Sequence, residues 1–142
     1  MIFNLIHRAS ELEQYDFQRE CSHGLGIKAT IMVPSRLLDN KKITDKAKAD
    51  HEIYGDEIGI WLEPLADMPN TMVWLLSEKE KFAAVKYSID KYREVFGESP
   101  KAVGNYVLDS HLMQMIKDYC PDVTVCPAGC FEEGVKVFHG CN

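Results

Sequence analysis

Apolar residues along this chain come in two rhythms that alternate from one end to the other. Compact apolar runs of strand length are separated by longer stretches in which apolar residues return every three or four positions, the period of a helix face. The run "IFNLIHRA" (2–9) predicts a first strand, "IKATIMV" (27–33) a second closed by Pro34, and "DEIGIWLE" (56–63) a third ended by Pro64. "KAVGNYVL" (101–108) predicts a fourth strand, "DVTVC" (122–126) a fifth, and "GVKVFHGCN" (134–142) the beginning of a sixth. Between the first two strands, Ser10 and Glu13 have capping-box spacing and open a helix running to about Ser22, stopped by the glycines of "HGLG". The polar segment 35–55 predicts a partly helical crossover, and 65–75 is irregular and rich in large apolar residues. The clearest helix opens with Ser77 and Glu80, places Phe82, Val85, Ile89, Tyr92 and Phe96 on one face, and ends at Gly97. A last helix follows Asp109, with Leu112, Met115, Ile116 and Tyr119 inward.

Strand, crossover helix, strand, repeated in this way, favours parallel pairing, because parallel strands need long return connections. The fold class is therefore α/β, either an open sheet or part of a barrel. At 142 residues, 46% hydrophobic, with two Trp, six Phe and six Tyr, the chain suits one domain over 1–142. A barrel of seven or eight strands would be unfinished at "HGCN". Five to six parallel strands are expected, and if they belong to a β/α barrel it is incomplete, hence a partial domain.

A formal charge of -6 removes the excess of Lys and Arg that a phosphate backbone requires, so no nucleic-acid partner is expected. The locally basic "DNKKITDKAK" reads as a solvated face. No apolar stretch approaches the roughly 20 residues of a spanning helix, so no membrane partner is expected. The start lacks a secretory pattern, which gives a cytoplasmic expectation for this chain. Five cysteines at irregular spacing argue against a disulfide scaffold. Cys126, Cys130, His139 and Cys141 invite a zinc reading, but H-x-C in an extended strand sends its two side chains to opposite faces.

In parallel α/β folds ligands gather at the carboxyl ends of the strands. That rule nominates His7 and Arg8 after the first strand, Ser35 and Arg36 after the second, and Trp61 and Glu63 after the third. The fourth strand adds Asn105, Tyr106 and Asp109, the fifth Cys126, and the last His139. Each also has a plainer reading. Asp109 precedes a helix and suits an N-cap, Trp61 suits the core as well as a sugar platform, and Glu63 suits a solvated loop. His23, His51 and His111 read as surface residues.

Three blocks in order, "GIKATIMVP", "GDEIGIWLEP" and "YREVFGESPKAVGNYVLDSHLMQMIKDY", resemble the polysaccharide deacetylase-like superfamily of NodB-type glycoside hydrolase/deacetylase barrels. With the terminal "GVKVFHGCN", the chain is most similar to an uncharacterised bacterial branch of that superfamily, a domain of unknown function. The resemblance implies a β/α barrel and a carbohydrate ligand. It also implies where a metal would sit in the active members: an Asp pair after the first strand and two His after the third. Here the first strand ends "LIHRAS" without Asp, and Trp61 aligns with the first ligand His. The motif around the fourth strand keeps Tyr106 but lacks the Arg and the prolines. Zinc-dependent deacetylation is therefore not expected, and no metal or other cofactor is assigned.

The functional expectation is a carbohydrate-active, hydrolase-like protein that acts on or binds a glycan or another small molecule. Glu63 and Asp109 are the candidate catalytic carboxyl pair, and His7, Arg8, Trp61, Asn105 and Tyr106 are candidate substrate-binding residues. A non-catalytic carbohydrate-binding or scaffold relative is the first alternative, and a Cys/His metal module the second.

Overall fold

The computed structural model describes residues 5–68 and 72–127. Five strands, β1 (Ile6–Arg8), β2 (Thr30–Pro34), β3 (Glu57–Trp61), β4 (Ala102–Asn105) and β5 (Thr124–Pro127), form one sheet in the order in which they occur along the chain. Every neighbouring pair is parallel, with His7 opposite Ile31, Ile31 opposite Ile58, Ile60 opposite Val103 and Val103 opposite Val125. The four helices α1 (Leu12–Gly24), α2 (Lys41–Tyr54), α3 (Glu78–Phe96) and α4 (Ser110–Tyr119) fill the four crossovers. A sheet wound in one direction takes all its right-handed crossovers on one face, whereas a doubly wound sheet reverses its strand order and takes helices on both. Sequential order therefore makes this sheet an arc of a β/α barrel, as expected. The sixth strand expected from "GVKVFHGCN" lies outside the described residues, as do Cys130, His139 and Cys141.

Side chains sort onto the two faces by strand alternation. Ile31, Val33, Ile58, Ile60, Leu62 and Val103 join Tyr15, Ile43, Ala47, Val85, Ile89, Tyr92, Leu112 and Ile116 of the helices in the main core. The other face, the inner face of the arc, carries a separate small cluster of Met32, Trp61 and Ala102, with Ile6 and Cys126 packed against it. Met32 reaches across this inner face because its neighbours there have no side chains. A Cβ on Gly59 would stand 2.8 Å from Met32 Sδ and 2.7 Å from the Ala102 carbonyl oxygen, and one on Gly104 would stand 2.7 Å from the Cys126 carbonyl oxygen.

The helix signals fare unequally. Ser77 and Glu80 form the expected capping box, and α3 ends at Gly97 with φ 78°. Asn40 caps α2 through the Lys42 amide, so the crossover is a full helix, ended by Gly55 with φ 73°. Ser10 does not cap α1. That helix starts at Leu12 with Glu11 as its N-cap, which puts Glu13 one position short of a capping-box partner. Phe82, assigned to the buried face of α3, is exposed and meets Tyr119 edge-on at 6.0 Å. Met113 rather than Met115 packs against the core from α4.

Candidate functional site

The carboxyl ends of β1, β3 and β4 bring three of the nominated residues together. Arg8 shares the inner face with Ile6, since both are even positions of a short strand, and Trp61 stands on that face two residues beyond Gly59. Tyr106 directly follows β4, where the alternation from Ala102 and Gly104 again turns inward. The Arg8 guanidinium carbon lies 5.5 Å from the Trp61 ring centre and 6.0 Å from that of Tyr106. The two rings meet edge to face, 4.6 Å apart at 74°. The quadrupole of each ring faces the cation, an attraction of about 0.5–2 kcal/mol depending on desolvation.

Exposure divides the labour among these three. Trp61 is 3% exposed and belongs to the inner core, so it does not offer a free face to a sugar; of its two expected roles, core and stacking platform, burial favours the core. Tyr106 is 43% exposed, and its neighbour Val107 equally so. Trp61 is thus the support against which Arg8 and the exposed Tyr106 are held.

Asn105 and Ser35 fix the loops around this support. Asn105 Nδ2 donates to the Leu62 carbonyl at 2.5 Å and its Oδ1 accepts from the Val107 amide at 3.2 Å, tying the turn that carries Tyr106 to the end of β3. Asn105 is buried and spends both ends of its amide on backbone, so it orients Tyr106 and does not face a ligand itself. Ser35 Oγ donates to the Trp61 carbonyl and accepts from the Glu63 amide, each at 3.2 Å, and stands 2.8 Å from Ser88 Oγ of α3. Nothing in the sequence pattern signals this hydroxyl pair, since serine at a strand end is also an ordinary loop residue.

The other nominated residues are placed elsewhere. His7 faces the helices, not the inner face: it is buried, with Nε2 3.0 Å from Ser22 Oγ of α1. Burial, opposed by a hydrogen bond with Gln18 and the charge of Asp56, lowers its pKa below the usual 6.5. Glu63 is engaged by the exposed Arg36 in an ion pair. Asp109 caps α4 through the Leu112 amide at 2.8 Å and pairs with Lys81 of α3 at 2.7 Å. Partial burial works against its charge, but the bonds from Lys81 and Leu112 outweigh it and hold the carboxyl below the usual range. Each candidate carboxylate thus already has a cationic partner of its own.

A second polar cluster, at the amino ends of β2 and β3, contains histidines that the sequence assigns to the surface. His23 is largely buried, 2.7 Å from the buried Asp56 carboxylate and stacked on Tyr54 at 3.7 Å, while the Ala29 amide donates to the same carboxylate at 2.9 Å. His51, exposed as expected, bonds the Asp56 carbonyl, and His111 is likewise a surface residue. An aspartate just before a strand was the available signal.

The described residues at the carboxyl ends of β1, β3 and β4 do not suit the metal that the resemblance implies. A guanidinium stands at the end of β1, where carboxylate ligands would be needed, and its charge would repel a divalent ion. Among the described residues no three His, Cys, Asp or Glu side chains converge as a metal-binding group. Cys126 is the one zinc candidate within the described residues; it lies against the inner cluster, where burial pushes its thiol pKa up.

No family model matches this sequence, and no curated protein does. Solved structures do match the fold. The chain superposes on a family 4 carbohydrate esterase from Streptomyces lividans with TM-score 0.62 at 12% identity, covering 86% of this chain and 59% of that one. It superposes on a peptidoglycan deacetylase from Bacillus subtilis with TM-score 0.59 at 16% identity, covering 87% and 56%. A peptidoglycan N-acetylglucosamine deacetylase gives TM-score 0.58 at 14% identity, covering 86% and 54%. The chain therefore has the polysaccharide deacetylase-like fold and spans a little over half the length of these proteins.

Proposed function

We propose that this chain is a carbohydrate-active protein that takes a glycan at the carboxyl ends of β1, β3 and β4, with the sugar on Tyr106 and Arg8 beside it. The observation that carries the reading is the exposed Tyr106 ring braced at 4.6 Å on the buried Trp61, at the end of a parallel β/α sheet where such folds bind ligands. An aromatic ring held rigid offers a pyranose an apolar face without further ordering cost. That the fold is shared with proteins described as carbohydrate esterases and peptidoglycan deacetylases supports the same ligand class.

Recognition is favoured over turnover in this reading. A glycosidase needs one carboxyl kept protonated and another ionised. Here both carboxyl groups are engaged by cations, Glu63 by Arg36 and Asp109 by Lys81, so neither is left free to face a sugar. Hydrolysis by that pair is the second reading, supported by the position of Glu63 two residues beyond Trp61, with its amide held by Ser35.

Calorimetric titration with cellotetraose and with the N-acetylglucosamine tetrasaccharide tests the first reading, and reducing-end and acetate release from the same sugars tests the second. Binding that Tyr106→Ala removes, without turnover, is the expected result. Absence of binding to glycans, or binding indifferent to Tyr106→Ala, contradicts the site.

A further inference from the structure

Arg8 brings a full charge to a half-buried position, and no described residue around it supplies the neutralising anion. The nearest nominated carboxylates are already engaged, Glu63 by Arg36 and Asp109 by Lys81, and no ion pair among the described residues includes Arg8. Its contacts are instead the two rings of Trp61 and Tyr106. A partly desolvated cation without an anion is costly, and ring faces offset only part of that cost. Rings over the guanidinium carbon leave free the five N–H donors, which lie in the guanidinium plane and match the two oxygens of an oxyanion.

We infer that Arg8 recognises an anionic group on the glycan, so that the sugar taken at this site bears a carboxylate or a sulfate ester while its ring rests on Tyr106. This rests on the glycan reading above. Charge matching favours a monoanion: among the described residues one cation is free at the strand ends, whereas Arg36 is balanced by Glu63 and Lys81 by Asp109. A phosphate monoester, with nearly two charges, calls for a second free cation. Trp61 serves here as a positioning residue, fixing the guanidinium from behind.

The test compares cellotetraose with its C6-carboxylate and C6-sulfate forms by calorimetry, on the wild type, Arg8→Gln and Arg8→Lys, with circular dichroism checking each fold. The wild type is expected to bind one charged form about ten- to a hundredfold tighter than the neutral sugar, the range of a charge-assisted bidentate contact. The charged ligand with the larger gain identifies the oxyanion. In Arg8→Gln the charged-to-neutral affinity ratio is expected to fall to about one, and in Arg8→Lys, which keeps charge but not the planar fork, to an intermediate value. If Arg8→Gln does not fold, the ratio in Arg8→Lys decides. Equal wild-type affinity for neutral and charged sugars overturns the inference and leaves glycan binding standing. A ratio that survives in the folded variants also overturns it, and failure of every sugar to bind overturns both.

Discussion

The Arg8 guanidinium carbon stands 5.5 Å from the centre of the Trp61 ring, so a cation at the end of β1 rests on an indole at the end of β3. β2 lies between those strands in the sheet, and the contact spans it on the inner face. Trp61→Ala removes this support and opens a cavity against Met32 and Ala102. The expected loss of stability is about 3–5 kcal/mol by denaturant unfolding, in the range for large aromatic truncations. Trp61→Phe should keep most of the fold while weakening glycan affinity, which separates the supporting role from a merely space-filling one.

Gly59→Ala should destabilise the sheet by about 1–3 kcal/mol, the usual cost of overpacking. The new Cβ would stand 2.7 Å from the Ala102 carbonyl oxygen as well as 2.8 Å from Met32 Sδ. Because the carbonyl belongs to backbone, adding Met32→Ala should not restore wild-type stability. Thermal melts of the single and double variants give the comparison.

His7 supplies a pH dependence whose sign follows from its burial. Its folded pKa is lowered, so the folded state binds its proton less readily than the unfolded chain does. The stability tied to neutral His7 is present above the unfolded value of 6.5 and is lost as pH falls from there through the folded pKa. Urea unfolding from pH 8 down to pH 5 should show that decline, and His7→Gln should flatten it.

Asp109→Asn separates a cap from a catalyst. Asn is as good an N-cap as Asp, so helix capping should survive and stability should change by no more than about 1 kcal/mol from the weakened Lys81 pair. Asp109→Ala should lose about 1–2 kcal/mol through the cap. Glycan affinity should follow neither change. If Asp109→Asn abolishes a glycan turnover that the wild type shows, the hydrolytic reading replaces recognition.

How much was legible in the sequence depends on the kind of signal. Ile58, Ile60 and Leu62 alternate cleanly because one side of β3 faces helices, and Ser77 with Glu80 acts locally, so both could be read without knowing any neighbour. Repeated crossovers pointed to a parallel sheet, open or barrel-forming alike, and the barrel came from the family resemblance. His7 was ambiguous because a three-residue strand has too little alternation to declare its faces; its contact with Ser22 of α1 settles it. Trp61 suited core and platform alike because burial by distant residues such as Met32 leaves no trace in "IWLE". His23 and Asp56 lie 33 positions apart, and their pairing belongs to the packing of α1 against the amino end of β3, which no local pattern encodes.

The central claim is that a glycan sits at the carboxyl ends of β1, β3 and β4. Backbone and indole amide shifts of the nitrogen-15-labelled protein, followed during titration with the tetrasaccharides, test it most directly. Saturable shifts at Arg8, the Trp61 indole, Tyr106 and Val107, with Ala29 and Asp56 at the opposite end of the strands unmoved, are the expected result. Shifts confined to the Ala29 and Asp56 end, or none with any glycan, would contradict it.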